Sequence, residues 1–176
     1  MQKLFLSLFA CVLSLPMAAG TITLAPSTPS VNVGQSFTVN VVYSGLPADD
    51  ELLAFGFNLF LSPNLQLDGF SVDPAFNNAS GPEAQVAGFA FPGVTGDPIT
   101  LAVLNLTALQ PGAGSISVSG DYDESFLGLY FLFNEDGESI NGSTTVQING
   151  SSEIPEPSTA LLLLLGAPAL LLRRRA

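Results

Sequence analysis

Between residues 37 and 148, apolar side chains recur at every second position in run after run, and Gly, Pro, Asn and Asp separate the runs. A period of two places successive side chains on opposite faces of an extended strand. No stretch sustains the 3.6-residue period of a helix, so the span reads as strands. Phe37, Val39, Val41 and Tyr43 alternate with Thr38 and Asn40. Leu53, Phe55, Phe57, Leu59 and Leu61 alternate next, and Leu65 and Leu67 follow the turn Ser62-Pro63-Asn64. Ile116 and Val118 alternate with Ser115, Ser117 and Ser119, and Thr144, Val146 and Ile148 end the span. Two stretches are apolar without alternation. Ile99 to Leu109 predicts a central strand buried on both faces, and Phe126 to Phe133 is apolar on both faces. The thirteen phenylalanines fall mainly at alternating positions and read as core.

The separators carry turn chemistry: Gly34-Gln35, Ser44-Gly45-Leu46-Pro47, Pro111-Gly112-Ala113-Gly114 and Asp136-Gly137. Asp-Gly suits a hairpin turn with φ > 0. Eight or nine short strands in residues 21–150 predict one all-β domain, an antiparallel β-sandwich or jelly roll.

Composition then removes whole classes of chemistry. The chain has no His and no Trp, and its one cysteine, Cys11, lies near the N-terminus. Most zinc and transition-metal sites, and both Ser-His-Asp and Cys-His catalysis, need residues that are missing here. Between Thr21 and Ser152 there are thirteen Asp and Glu and no Lys or Arg, a formal charge of −13. Such a domain repels nucleic acid and anionic lipid. Acidity of this kind also keeps an exported protein soluble. The four basic residues are Lys3 and Arg173 to Arg175.

Those residues mark two targeting segments. Lys3, the apolar run Leu4 to Leu15 and the small residues Ala18, Ala19 and Gly20 form a secretory signal, residues 1–19, cut after Ala19 or Gly20. At the other end, residues 151–157 make an extended linker ending in Pro155-Glu156-Pro157, whose prolines disfavour helix. Residues 158–172 are an apolar membrane segment, and residues 173–176 a basic tail held on the cytoplasmic side. Fifteen helical residues span about 22 Å, short of the hydrocarbon core of about 30 Å. A short span next to an accessible acidic motif suits transient retention and processing.

Pro155, Glu156, Pro157, the short apolar segment and Arg173, Arg174 and Arg175, in this order at the end of the chain, resemble the PEP-CTERM sorting signal. That resemblance implies a Gram-negative bacterium and processing by an exosortase. It further implies Sec export and a precursor held in the inner membrane by its C-terminal segment. The final place would be the cell surface or an extracellular matrix of exopolysaccharide or biofilm. An ordinary C-terminal anchor and a GPI signal at Asn149-Gly150-Ser151 share parts of this layout; the arginines and the P-E-P tripeptide argue against the second.

Val31-Asn32-Val33-Gly34-Gln35-Ser36-Phe37-Thr38-Val39, then Phe55 to Leu61 and Leu65-Gln66-Leu67, resemble the opening strands of cohesin-like domains. Leu101 to Leu109 with Pro111 to Val118 resemble a later strand, turn and strand of the same family. Gln35 stands where that family more often has Asp. The resemblance implies a nine-stranded jelly roll related to carbohydrate-binding modules. The sandwich is thus expected to serve structure or adhesion, with two alternatives: binding the cell's own polysaccharide, or binding another surface protein.

Two acidic clusters remain. Asp121, Asp123 and Glu124 form one, and Glu135, Asp136 and Glu138 the other. Dense carboxylates are the donor set that Ca²⁺ takes, but neither cluster has EF-hand spacing, and both read first as solvated turns at strand ends. No other cofactor is expected. A glycosidase needs only two carboxylates at a set separation. Without a Trp platform, however, a sugar-cleaving groove is not expected, and neither is any other enzyme.

Overall fold

The computed structural model describes residues 20–122, 126–134 and 136–150. The secretory signal, the linker, Pro155 to Pro157, the apolar segment and Arg173 to Arg175 lie outside the described residues, as do Asp123, Glu124 and Glu135.

Eleven strands fill the described span: β1 (Thr21–Pro26), β2 (Ser30–Asn32), β3 (Ser36–Ser44), β4 (Leu52–Leu61), β5 (Leu65–Val72), β6 (Asn77–Asn78), β7 (Val86–Val94), β8 (Ile99–Ala108), β9 (Gly112–Gly120), β10 (Gly128–Phe131) and β11 (Ile140–Asn149). They form a four-stranded sheet, β1-β3-β8-β5, and a larger sheet, β2-β11-β9-β4-β7-β6, with β10 also paired to β4. The chain switches sheets between β1 and β2, which ties one edge of the sandwich. The strand count exceeds the eight or nine expected. Two of the extra strands, β2 and β6, have three and two residues, too short to leave a periodic signal. Pairing is antiparallel except between β2 and β11, which run parallel.

The turns form where Gly and polar residues were placed. The Gln35 N–H donates to the Asn32 carbonyl at 3.0 Å, with Gly34 at φ 83°. The Leu65 N–H donates to the Ser62 carbonyl at 3.0 Å, and the Asn64 amide clamps the neighbouring hairpin through the Ala113 carbonyl at 3.1 Å. Gly137 sits at φ 53°.

Inward positions of both sheets make one core. Val39, Val41, Leu104 and Leu106 come from the smaller sheet; Phe55, Phe57, Ile116, Leu129, Ile140 and Ile148 come from the larger. Phe55 meets Phe76 edge-on at 5.1 Å between ring centroids.

Three expectations change. The run Ile99 to Leu109 is central, between β3 and β5, but it has one solvated face: Asn105 is exposed and Thr100, Val103 and Thr107 are half-buried. A bulge lets Val41 pair Ala102 and Val42 pair Thr100. It buries both Leu101 and Ala102, so two phases of alternation overlap and mimic a doubly buried strand. In β4 a register shift between Leu52 and Ala54 does the same. Leu52, not Leu53, reaches the core before Phe55. Finally, Phe126 to Phe133 is not one apolar strand. Only Gly128 to Phe131 pairs, while Phe126, Leu132 and Phe133 are exposed.

Candidate functional site: an aromatic groove on the larger sheet

β4 is the axis of the site. β7 lies along one side of it, and along the other side β9 and β10 follow each other, β9 on Asn58 to Leu61 and β10 on Leu52 to Gly56. Side chains facing away from the core here are small at Ala54 and Gly56, and aromatic on both sides of Ala54. One cross-strand row reads Tyr130–Ala54–Phe89, and the next reads Gly128–Gly56–Ala87. Small residues between rings leave a trough. It measures about 490 Å³ and is lined by Ala54, Ala79, Ala87, Phe89, Phe126 and Tyr130, with Phe55 and Gly88 beneath.

The Phe126 backbone, ahead of β10, crosses over this face. A Cβ on Gly56 would run into the backbone carbonyl of Phe126, so only glycine admits the crossing. Leu127 is thereby buried in a small second cluster with Ala84 and Ala87. Phe126 itself stands at φ 64°, the one described residue other than glycine with positive φ, and its ring is 66% exposed. A bulky side chain in the left-handed region is strained by about 1–2 kcal/mol. Here that strain holds an aromatic ring at the mouth of a groove. The Tyr122 and Tyr130 rings meet at 5.2 Å, backing the same wall.

Beyond the groove, β7 carries extra residues between Val94, opposite Leu52, and Phe89, opposite Ala54. This bulge is pinned where the Gly93 N–H donates to the Glu51 carboxylate at 2.9 Å. Phe91, on the bulge, is 89% exposed. The expectation that phenylalanine means core therefore holds for Phe37, Phe55, Phe57, Phe76 and Phe131. It fails for Phe60, Phe89, Phe91, Phe126 and Phe133.

The carboxylates expected as Ca²⁺ candidates do separate things. Asp121 accepts from the Ser139 hydroxyl at 2.9 Å. The Asp136 N–H donates to the Asn134 side chain in its turn at 3.4 Å. Glu138 pairs its backbone with Leu129 and accepts from the Tyr43 hydroxyl at 3.4 Å. Among the described residues no three Asp or Glu converge as a metal site. Asp50 is the one buried charged residue among them; it accepts from the N–H groups of Glu51 at 2.8 Å and Phe133 at 3.0 Å. It ties the 47–50 turn to the end of β10, and its burial left no sign in the sequence. Tyr43, Asp50, Phe131, Asn134 and Glu138 line a smaller, more polar cleft of about 210 Å³. Burial, and then the Glu138 carboxylate, push the Tyr43 phenol well above its ordinary value.

The fold is a two-sheet jelly-roll sandwich whose larger sheet carries an apolar, aromatic-walled trough. Solved structures similar to it include cohesin modules. The cohesin module of a family 33 glycoside hydrolase from Clostridium perfringens superposes with a TM-score of 0.55 at 17% identity, covering 74% of this chain and 97% of that one. A type III cohesin from the ScaE cell-surface anchoring scaffoldin of Ruminococcus flavefaciens gives 0.53 at 12%, covering 74% and 87%. The third ScaB cohesin of the same organism, in complex with a group 1 dockerin, gives 0.50 at 12%, covering 76% and 99%. At these identities the likeness is one of fold, and it bears out the cohesin-like sandwich. No protein-family model and no curated protein sequence matches the chain.

Proposed function

We propose that this chain is an exported, non-catalytic interaction protein. Residues 1–19 direct export, Pro155-Glu156-Pro157 with the apolar segment and Arg173 to Arg175 mark it for an exosortase, and the sandwich is displayed at the cell surface or in an exopolysaccharide matrix. There it binds another surface macromolecule, a protein in the reading favoured here. The observation that carries the binding role is the trough of Ala54, Ala87, Phe89, Phe126 and Tyr130 on the outer face of the larger sheet. Soluble domains seldom leave a walled apolar groove without a ligand for it. A relative of the same fold solved with a dockerin supports the same use of the sandwich.

Two experiments test the two halves. Replacing Pro155, Glu156 and Pro157 by alanine should abolish C-terminal processing, read by mass spectrometry of the mature C-terminus; unchanged processing refutes the sorting role. A photo-reactive phenylalanine analogue at position 89, expressed in the native host, should yield a discrete cross-linked protein. Cross-links no more frequent than from an analogue at position 60 refute the groove as the binding face.

A further inference from the structure

We infer that the groove takes a basic amphipathic polypeptide segment, one that lays apolar side chains in the trough and sets lysine or arginine against its rim. The inference rests on the binding role proposed above and adds the chemistry of the partner. Its ground is charge complementarity. Thirteen carboxylates and no Lys or Arg lie between Thr21 and Ser152, so the sandwich has no cation of its own to neutralise them. Its net charge is strongly negative and favours a positively charged partner.

Carboxylates also adjoin groove residues along the chain. Glu83 is exposed beside Ala84, which packs on Ala87 and Leu127 under the groove wall. Asp121 is exposed beside Tyr122, whose ring backs Tyr130. Glu51 fixes the β7 bulge just past Phe89. Phe89, Phe126 and Tyr130 also present aromatic surface in the groove itself. An aromatic face attracts Lys or Arg, and no residue of the sandwich supplies one. An acidic segment of equal apolarity would meet only like charge, and a nucleic acid would meet it along its whole length.

The test uses the full chain reconstituted in phosphatidylcholine nanodiscs, with empty nanodiscs as reference. The probes are two synthetic amphipathic helices of about eighteen residues, leucine with lysine and leucine with glutamate in the same pattern. The leucine–lysine helix should bind at least about tenfold more tightly than its glutamate twin. Its affinity should fall at least about tenfold with Phe89→Ser, and again between about 20 and about 300 mM salt. Phe60→Ser, on β4 outside the groove, should leave it unchanged. Equal binding of the two helices removes the basic partner. Lysine-helix binding that ignores Phe89→Ser means diffuse attraction to an acidic surface and equally overturns the inference. A specific cross-link from position 89 without any lysine preference leaves the binding role standing while this inference fails; neither cross-link nor helix binding removes both.

Discussion

Replacing Phe126 by glycine should barely change stability, although it deletes a whole aromatic side chain. Three terms set the outcome. At φ 64° the wild-type backbone is held in the left-handed region, at a cost of about 1–2 kcal/mol that glycine relieves. The ring is 66% exposed, so about a third of a full burial of about 1.5–3 kcal/mol is lost, roughly 0.5–1 kcal/mol. Glycine also adds freedom to the unfolded chain, a loss of about 0.4–1 kcal/mol. The sum lies within about 1 kcal/mol of zero. By contrast, Phe57 is fully buried, and Phe57→Ala should cost about 3–5 kcal/mol. Urea unfolding followed by far-ultraviolet circular dichroism separates the two. With a slope of about 1–3 kcal/mol per molar urea, Phe126→Gly should move the midpoint by less than about 1 M. Binding of the leucine–lysine helix should nevertheless weaken several-fold. A loss of stability above about 2 kcal/mol would show that the ring is a structural wedge and that its exposure serves packing rather than a ligand.

Asp50→Ala strips the acceptor from two backbone N–H groups, Glu51 and Phe133, and should cost about 2–4 kcal/mol. Asp50→Asn keeps one oxygen in place and should recover at least half of that in the same assay. Gly56→Ala drives a methyl group into the Phe126 carbonyl; a stability loss of about 2 kcal/mol or more is expected, with weakened helix binding because the groove wall is displaced. Tyr43 gives a pH signature. Its raised pKa, caused by burial and then by Glu138, means that the folded state favours the neutral phenol. That contribution is complete below about pH 10, the ordinary tyrosine value, and is lost as pH rises above it. Tyr43→Phe gives up the hydroxyl bond to Glu138 and should be about 1 kcal/mol less stable at neutral pH. The deficit should vanish or reverse on the alkaline side; a deficit that stays constant with pH would refute the assignment.

How much of this was legible in the sequence follows from what alternation encodes. It names the residues that share a face of one strand, so Phe37, Val39, Val41 and Tyr43 are readable as core where β3 runs uninterrupted, and so are Ile116 and Val118 in β9. It does not say where phase slips, because a bulge depends on the partner strand. At Leu101 and Ala102 the slip made a one-sided strand look doubly buried, and at Leu52 to Ala54 it moved the core position by one. The groove was hidden by the same limitation. Ala54 and Gly56 are uninformative as letters; register makes Ala54 the floor of a site by setting Phe89 and Tyr130 on either side of it, and Gly56 is where the Phe126 backbone passes. One signal was present. Two small residues sit at outward positions of an otherwise large-residue strand, Leu52 to Leu61, where a solvated face gives no reason to avoid long polar side chains. Something had to pass close over that face. The structure gives the Phe126 backbone as what passes, and the strained φ of that residue is the cost of keeping its ring at the rim. A strand position cleared for the Phe126 backbone and a ring held out against that backbone's own preference meet at one trough. That convergence, rather than the likeness of fold, is the reason to place the function there.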